Sequence, residues 1–195
     1  MKSEMQENNW LFYSIVIPVD RPIRTLPTDY QCEAWYPGVF RFKARDMPAY
    51  PFVIWWVFHI LHVFSNRDYG LFIIRSGSKV IHRSVITPRY FRFPFMAQDD
   101  IQIGDTWTDP TERGKGLATI ALESVLKRPS CRKHTCWYVV EPENRASIRV
   151  AEKAGFTLAG RGIRTRRFGL SILGRFVLTE HAVRKETEQS VTMGE

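Results

Sequence analysis

Two glycines, one residue apart and set between a strand-like stretch and a helical one, mark the first place in this chain where residue types and spacing imply chemistry. In Arg113-Gly-Lys-Gly-Leu-Ala118 the main chain is free of Cβ atoms at Gly114 and Gly116, so a ligand can approach it closely. Behind the glycines, Leu117, Ile120, Ala121 and Val125 recur at helical spacing, with Thr119, Glu123 and Lys127 on another side,. A helix start offers unpaired N–H groups and the positive end of the helix dipole, and such a place binds phosphate. A Walker loop is excluded, because Leu117 stands where Lys-Ser/Thr is required. A dinucleotide loop fits poorly, because Thr119 replaces its third small residue. The pattern that fits is Arg/Gln-x-x-Gly-x-Gly/Ala, filled by Arg113, Gly116 and Ala118.

The elements that position this loop can be read on either side of it. Ile101-Gln-Ile-Gly-Asp-Thr-Trp-Thr108 alternates as a strand, with Ile101, Ile103, Asp105 and Trp107 on one face and Gln102, Gly104, Thr106 and Thr108 on the other,. Downstream, Glu143-Asn-Arg-Ala-Ser-Ile-Arg-Val-Ala-Glu-Lys-Ala-Gly-Phe156 reads as a second helix. Asn144 is its N-cap, Ser147, Val150, Ala151 and Ala154 form a narrow stripe, and Gly155 is its natural end.

These two motifs, in this order and at this separation, resemble the GNAT superfamily of acyl-CoA-dependent N-acyltransferases over roughly Asp68 to Glu180. The resemblance implies an α/β fold with a central mixed, mostly antiparallel sheet flanked by helices. It further implies acetyl-CoA, or another acyl-CoA, as co-substrate. Its pyrophosphate would lie on the main chain of Arg113, Gly114, Lys115, Gly116, Leu117 and Ala118. Its pantetheine arm would run along the central strand near Thr106 and Thr108, with Asn144 and Ser147 on the far side. The central strand and the strand holding Trp137 would splay to open a slot for the thioester.

Acyl transfer to an amine needs the neutral amine, so a base or water relay must take a proton. Asp105 is the first candidate: on a cleanly alternating strand it sits among Ile101, Ile103 and Trp107, where burial would raise its pKa. Gly104 would mark a bulge that re-aims it. A loop-end Asp paired with a nearby Arg is at least as good a reading. Glu141, at the end of the following strand, is the reserve. Many members of the superfamily carry a Tyr just before Glu-Lys-x-Gly-Phe as acid for the departing thiolate; here that position is Ala151. The second-helix motif looks more like the branch that acetylates ribosomal-protein amino termini and small amines.

The chain has 195 residues, 44% hydrophobic and 13% aromatic, a globular composition rather than a disordered one. A single domain is expected, with an amino-terminal strand and apolar helical segment over 1–66 on the acceptor side, a coenzyme-binding core over 67–182 and a frayed tail over 183–195. The net charge of +8 favours anionic partners. Anionic small molecules come first, a solvated surface second and nucleic acid third. Three cysteines match no zinc or redox spacing,, no metal site is expected, and free thiols suit a cytoplasmic protein. The amino end lacks the basic start and apolar core of a signal peptide.

Along the chain, strands are expected at 10–19 and 31–36, a strand–turn–strand through Gly77 over 69–86, and further strands at 133–140, 156–167 and 171–179. Residues 51–64 form the most apolar run. They are too short to span a bilayer, which takes about 20 residues. Core burial is the default for a helix there, with a homodimer contact, an acyl chain or a membrane surface as the alternatives. His59 and His62 would share a helix face, and Glu123 and Lys127 would pair. In 88–96, arginines alternate with aromatics, which fits base stacking or a wall of the acceptor site packed on the sheet.

Three functional readings follow. The first is an N-acyltransferase acting on a small, anionic amine such as an amino sugar or nucleotide sugar, suggested by the arginines at 161, 164, 166, 167 and 175. The second is acetylation of protein or peptide amino termini. The third is a non-catalytic module that binds coenzyme A or nucleic acid.

Overall fold

The computed structural model describes residues 9–16 and 24–182, apart from 39, 42, 46, 48, 67, 133 and 167–173. The elements are β1 (Asn9–Val16), β2 (Gln31–Trp35), α1 (Tyr50–Ile60), β3 (Gly70–Ser76), β4 (Lys79–Pro88), β5 (Ile101–Thr108), a 3-10 turn (Pro110–Glu112), α2 (Leu117–Leu126), α3 (Pro129–Arg132), β6 (Thr135–Val140), α4 (Arg145–Lys153), β7 (Thr157–Arg164) and β8 (Phe176–His181). The first expected strand is described as far as Val16, and its residues 17–19, the expected tail over 183–195, Arg167 and 171–173 lie outside the described residues.

One eight-stranded sheet runs in the order β2-β3-β4-β5-β6-β1-β7-β8. All neighbours are antiparallel except β5 and β6. This is the mixed, mostly antiparallel sheet expected. β1 lies between β6 and β7, from Leu11 opposite Val140 to Val16 opposite Thr135 on one side and from Asn9 opposite Ile163 on the other. The β3–β4 turn uses Gly77 at φ 58°, the left-handed conformation a two-residue hairpin loop requires.

Alternation along the strands splits the core between two faces. On one face, Ile101, Ile103, Ile86 and Ile74 from the sheet meet Leu117, Ala121, Leu122 and Val125 of α2 and Ile148 and Ala151 of α4. On the other, Phe52 of α1 packs with Trp35, Leu71, Ile73 and Val85, and the 88–96 connection places Phe93, Met96 and Phe95 on Phe12, Trp137 and Phe176. The aromatics of 88–96 therefore pack down onto the sheet.

Several expectations are corrected. α1 ends at Ile60, and His62, at φ 50°, bonds the Ile60 carbonyl through Nδ1 at 2.9 Å, so His59 and His62 do not share a helix face. α1 is not buried all round either. Phe52 is covered, while Val53, Ile54, Val57 and Ile60 are exposed, because only one side of so short a helix can meet the sheet. Conversely, α2 has less of a polar face than its sequence implies. Thr119 and Glu123 are buried, and Glu123 accepts from the Arg24 main-chain N–H at 3.2 Å with the Arg24 guanidinium at 3.7 Å. The segment ahead of β2 covers this side of α2, so Glu123 turns to Arg24 rather than to Lys127.

Candidate active site

The central strand carries a bulge. Val85 of β4 faces Gly104 and Arg83 faces Trp107, so Asp105 and Thr106 together oppose Ser84. Asp105 takes φ 44°, the left-handed conformation at the extra residue. Gly104 does stand beside the bulge, where a Cβ would collide with the Gln102 side-chain amide. An extra residue reverses alternation, so Thr106 and Thr108 continue the face of Ile101 and Ile103.

A buried hydrogen-bonded chain fixes that face. His82 Nδ1 lies 2.8 Å from Thr108 Oγ1, His82 Nε2 lies 3.0 Å from Ser84 Oγ, and Ser84 Oγ lies 3.4 Å from Thr106 Oγ1. Burial lowers the His82 pKa from 6.5 to about 4,, so the ring is neutral at neutral pH, with one nitrogen donating and the other accepting.

β5 and β6 pair only at Ile101–Cys136 and Gln102–Trp137. Beyond Gln102 the edge of β5 facing β6 has no strand partner among the described residues, so the two strands part as expected. Asp100 pins the closed end of this V. Its carboxylate accepts from the Trp137 indole N–H at 2.8 Å, the Ala97 N–H at 2.9 Å and the Thr135 N–H at 3.2 Å. No motif marks Asp100 in the sequence, because its partners come from three separate segments.

At the open end the main chain turns into the glycine loop. Asp109 caps the 3-10 turn, accepting from the Thr111 N–H at 2.9 Å and hydroxyl at 2.7 Å and pairing with Lys79 at 2.7 Å. The hydrogen bond from Lys79, followed by those from Thr111, holds the Asp109 carboxyl well below its usual range. Arg113 Nε donates back to the Thr108 carbonyl at 3.2 Å, closing the turn. Gly114 and Gly116 sit at φ 83° and 79°, and a Cβ at either would meet no protein atom within 4 Å. Gly116 is the N-cap of α2 and has no side chain to satisfy the first-turn N–H groups, which leaves Leu117 and Ala118 N–H as donors for a ligand.

These pieces enclose a cleft of about 440 Å³ lined by Thr106, Trp107, Thr108, Arg113, Gly114, Gly116, Leu117, Ala118, Tyr138, Asn144 and Ser147, with Ala146, Arg149, Val150 and Lys153 from α4. Every cofactor-binding residue expected from the sequence lines it except Lys115. The Lys115 ammonium is held instead by Glu112 at 2.9 Å and the Tyr30 hydroxyl at 3.3 Å, a bond that pulls the Glu112 carboxyl pKa down and raises that of Lys115. Asn144 Oδ1 accepts from the Ser147 N–H at 3.1 Å, and that cap does not use its Nδ2. Arg149 and Lys153 were missed, although Ala146, Arg149, Val150 and Lys153 keep the spacing of one helix face.

Asp105 is not where clean alternation puts it. Its carboxylate is 69% exposed and 3.8 Å from the Arg83 guanidinium, beside a small apolar recess lined by Met47, Phe52, Trp55, Leu71 and Val85. The burial on which its activation as a base was argued is absent, because the bulge throws it out of the Ile101–Ile103 face. Glu141 follows β6 and is exposed. Among the described residues no group of His, Cys, Asp or Glu has metal-binding geometry, and no helix is long and apolar enough to cross a membrane.

A glycine cradle at a helix start, beside the free edge of a splayed strand, could hold a ligand that is part phosphate and part amide. The model of the acetyltransferase (GNAT) family matches residues 29–156, and the chain belongs to that family. No curated protein matches it. Among solved structures it is similar to an acetyltransferase of the GNAT family from Colwellia psychrerythraea (18% identity, 78% of this chain and 53% of that one, TM-score 0.50). It is also similar to a tandem GNAT protein from the clavulanic acid biosynthesis pathway (15%, 81% and 52%, TM-score 0.55) and to a GCN5-related N-acetyltransferase from Sphaerobacter thermophilus (16%, 80% and 50%, TM-score 0.55). The chain spans about half the length of these structures, and at such identities the likeness is one of fold.

Proposed function

We propose that this protein is an acyl-CoA-dependent N-acyltransferase that moves an acyl group, normally acetyl, to the primary amine of a small acceptor such as an amino sugar or nucleotide sugar. The observation that carries the reading is the cleft in which the Gly114–Gly116 cradle adjoins the unpartnered edge of β5. Bound there, acetyl-CoA supplies an activated thioester. The Leu117 and Ala118 N–H groups would hold its diphosphate at the positive end of α2. The β5 edge from Thr106 to Thr108 offers main-chain donors and acceptors to an extended amide chain, as an exposed sheet edge does for a peptide. Arg149, exposed on the α4 wall, supplies positive charge to the phosphates. Arg149→Gln is expected to raise KM for acetyl-CoA about fivefold with kcat unchanged, the effect of losing one exposed charge-assisted contact of about 1 kcal/mol. Initial-rate measurements check this.

On the opposite face of the sheet, Glu141 at the end of β6 is assigned as the group that takes the amine proton, directly or through water. Being exposed, it should contribute less than the 10²–10⁴-fold of a well-placed base. The test is thiol release from acetyl-CoA with a panel of primary amines. The wild-type protein should turn over at least one of them, and Glu141→Gln should lower kcat roughly tenfold, whereas Asp105→Asn should not. Tight acetyl-CoA binding without release for any amine would favour a non-catalytic coenzyme-binding module. Turnover confined to peptides would favour amino-terminal acetylation.

A further inference from the structure

The last rung between β5 and β6 joins Gln102 to Trp137. Both side chains leave the sheet on the face opposite α2. Ile101 and Ile103 belong to the core beneath α2, so Gln102 and Gly104 point the other way. Trp137 packs on that same side against Phe95, with ring centroids 5.0 Å apart.

Gln102 is only 7% exposed. Burying an amide costs free energy unless its donors and acceptors are matched, and here half of it is matched. The hydroxyl of Thr87, directly opposite on β4, donates to Gln102 Oε1 at 3.0 Å. That bond fixes the amide and leaves Nε2 in the space over Gly104, where a Cβ would collide with it. The glycine thus makes room for the amide nitrogen. Nε2 carries two N–H donors, and neither has a hydrogen-bond partner among the described residues. The neighbouring polar groups are satisfied: the Trp137 indole N–H donates to Asp100 at 2.8 Å, and the Thr87 hydroxyl donates to Gln102 itself. A buried donor left unmatched in otherwise satisfied surroundings calls for an explanation.

Its position supplies one. Gly104 lies two residues beyond the last β5–β6 rung, where the strands have parted. Nε2 therefore sits at the floor of the V, on the face of the sheet opposite the coenzyme cleft, which is also the face of Glu141. In the free protein only water can accept from it. An ammonium or a guanidinium cannot, because each has donors alone. The group that fits is an oxygen.

We infer that Gln102 determines acceptor specificity: its amide nitrogen donates to a hydroxyl or carbonyl oxygen carried by the amine, close to the nitrogen that is acylated. The inference rests on the transferase reading above and narrows it to oxygen-bearing amines, such as amino alcohols, amino sugars or amino-acid amides.

The test compares amines of matched shape at equal concentrations of the neutral form: 2-aminoethanol with propylamine for a hydroxyl, and glycinamide with isobutylamine for a carbonyl. With wild-type protein the oxygen-bearing member of at least one pair should be preferred at least about tenfold in kcat/KM, equivalent to about 1.4 kcal/mol, because its analogue leaves a buried donor unpaired. Which pair shows the preference tells hydroxyl from carbonyl. Gln102→Met, of similar length but without a donor, should bring that ratio close to one. Gly104→Ala leaves Gln102 in place in the chain but sets a methyl group where Nε2 lies, and it should do the same if the Met variant proves unstable. Both should leave the acetyl-CoA Kd, measured by calorimetry, unchanged. Equal turnover within both pairs by the wild type overturns the inference and leaves the transferase standing. So does a variant loss shared equally by the two members of a pair, which is what a merely structural role would give. No turnover of any of the four amines also overturns it, and acetyl-CoA that fails to bind as well overturns the transferase reading with it.

Discussion

Gly116→Val is expected to weaken acetyl-CoA binding at least ~100-fold while the protein remains folded. Two effects act at this position, and they separate. The first is conformational: Gly116 sits at φ 79°, and a side chain in the left-handed region costs roughly 1–2 kcal/mol, more when β-branched. The fold can bear this, because a Cβ at Gly116 meets no protein atom within 4 Å. The second is occupancy. Gly116 lines the cleft beside the Leu117 and Ala118 N–H groups, so isopropyl carbons would stand where the diphosphate must approach the main chain. Gly116→Asn divides the two effects, since Asn tolerates the left-handed conformation yet still projects a side chain. Calorimetric titration with acetyl-CoA should show a large loss for Asn and a larger one for Val, with circular dichroism unchanged. An unaltered Kd in both variants would remove the cradle from the binding model.

The cradle was legible in the sequence because its determinants are local. The Gly-x-Gly spacing, the apolar helix behind it and the Asn144 cap each depend on residues within a few positions of one another, and all took the expected form. What could not be read depends on distant partners. Asp105 fell on the wrong face because a single extra residue in β5 reverses every side chain beyond it, and the bulge is defined only against Ser84 of β4. Glu123 has a helix-spaced partner in Lys127 by sequence, but Arg24 is brought to it across 99 positions. Arg92 and Arg164 are 72 positions apart, yet both guanidinium groups lie over the ring of Phe176. Placement of β1 between β6 and β7 was equally illegible, since an apolar strand pattern does not name its neighbours.

The bulge also decides which side chains of β5 lie on which face of the sheet. With clean alternation, Asp105 would share a face with Ile101 and Ile103 beneath α2, and Thr106 and Thr108 would point to the other side. The extra residue brings the two threonines to the face of Ile101 and Ile103, where His82 and Ser84 bind them. It sends Asp105 to the face of α1 and Arg83.

His82 should make stability depend on pH in a window that can be stated beforehand. In the folded protein its pKa is lowered to about 4, whereas an unfolded histidine titrates near 6.5. Between those values the unfolded chain binds a proton that the folded protein refuses, so stability rises with pH and is lost on acidification. The contribution is complete above pH 6.5, and roughly 3 kcal/mol of it disappears on going down to pH 4. Carboxylates such as Asp109, with depressed values, lose their contributions at lower pH, as it falls through their own folded values, so the upper window belongs to histidine. The difference between wild type and His82→Gln isolates the effect. Glutamine keeps one donor and one acceptor for Thr108 and Ser84 but cannot take a charge, so its denaturant midpoint should fall less between pH 6.5 and 4. A slope identical to wild type would mean that the ring is hydrated and takes up its proton in the folded protein as readily as in the unfolded chain. In that case the Thr106–Ser84–His82–Thr108 chain would not hold the coenzyme edge of β5 in the neutral form described above.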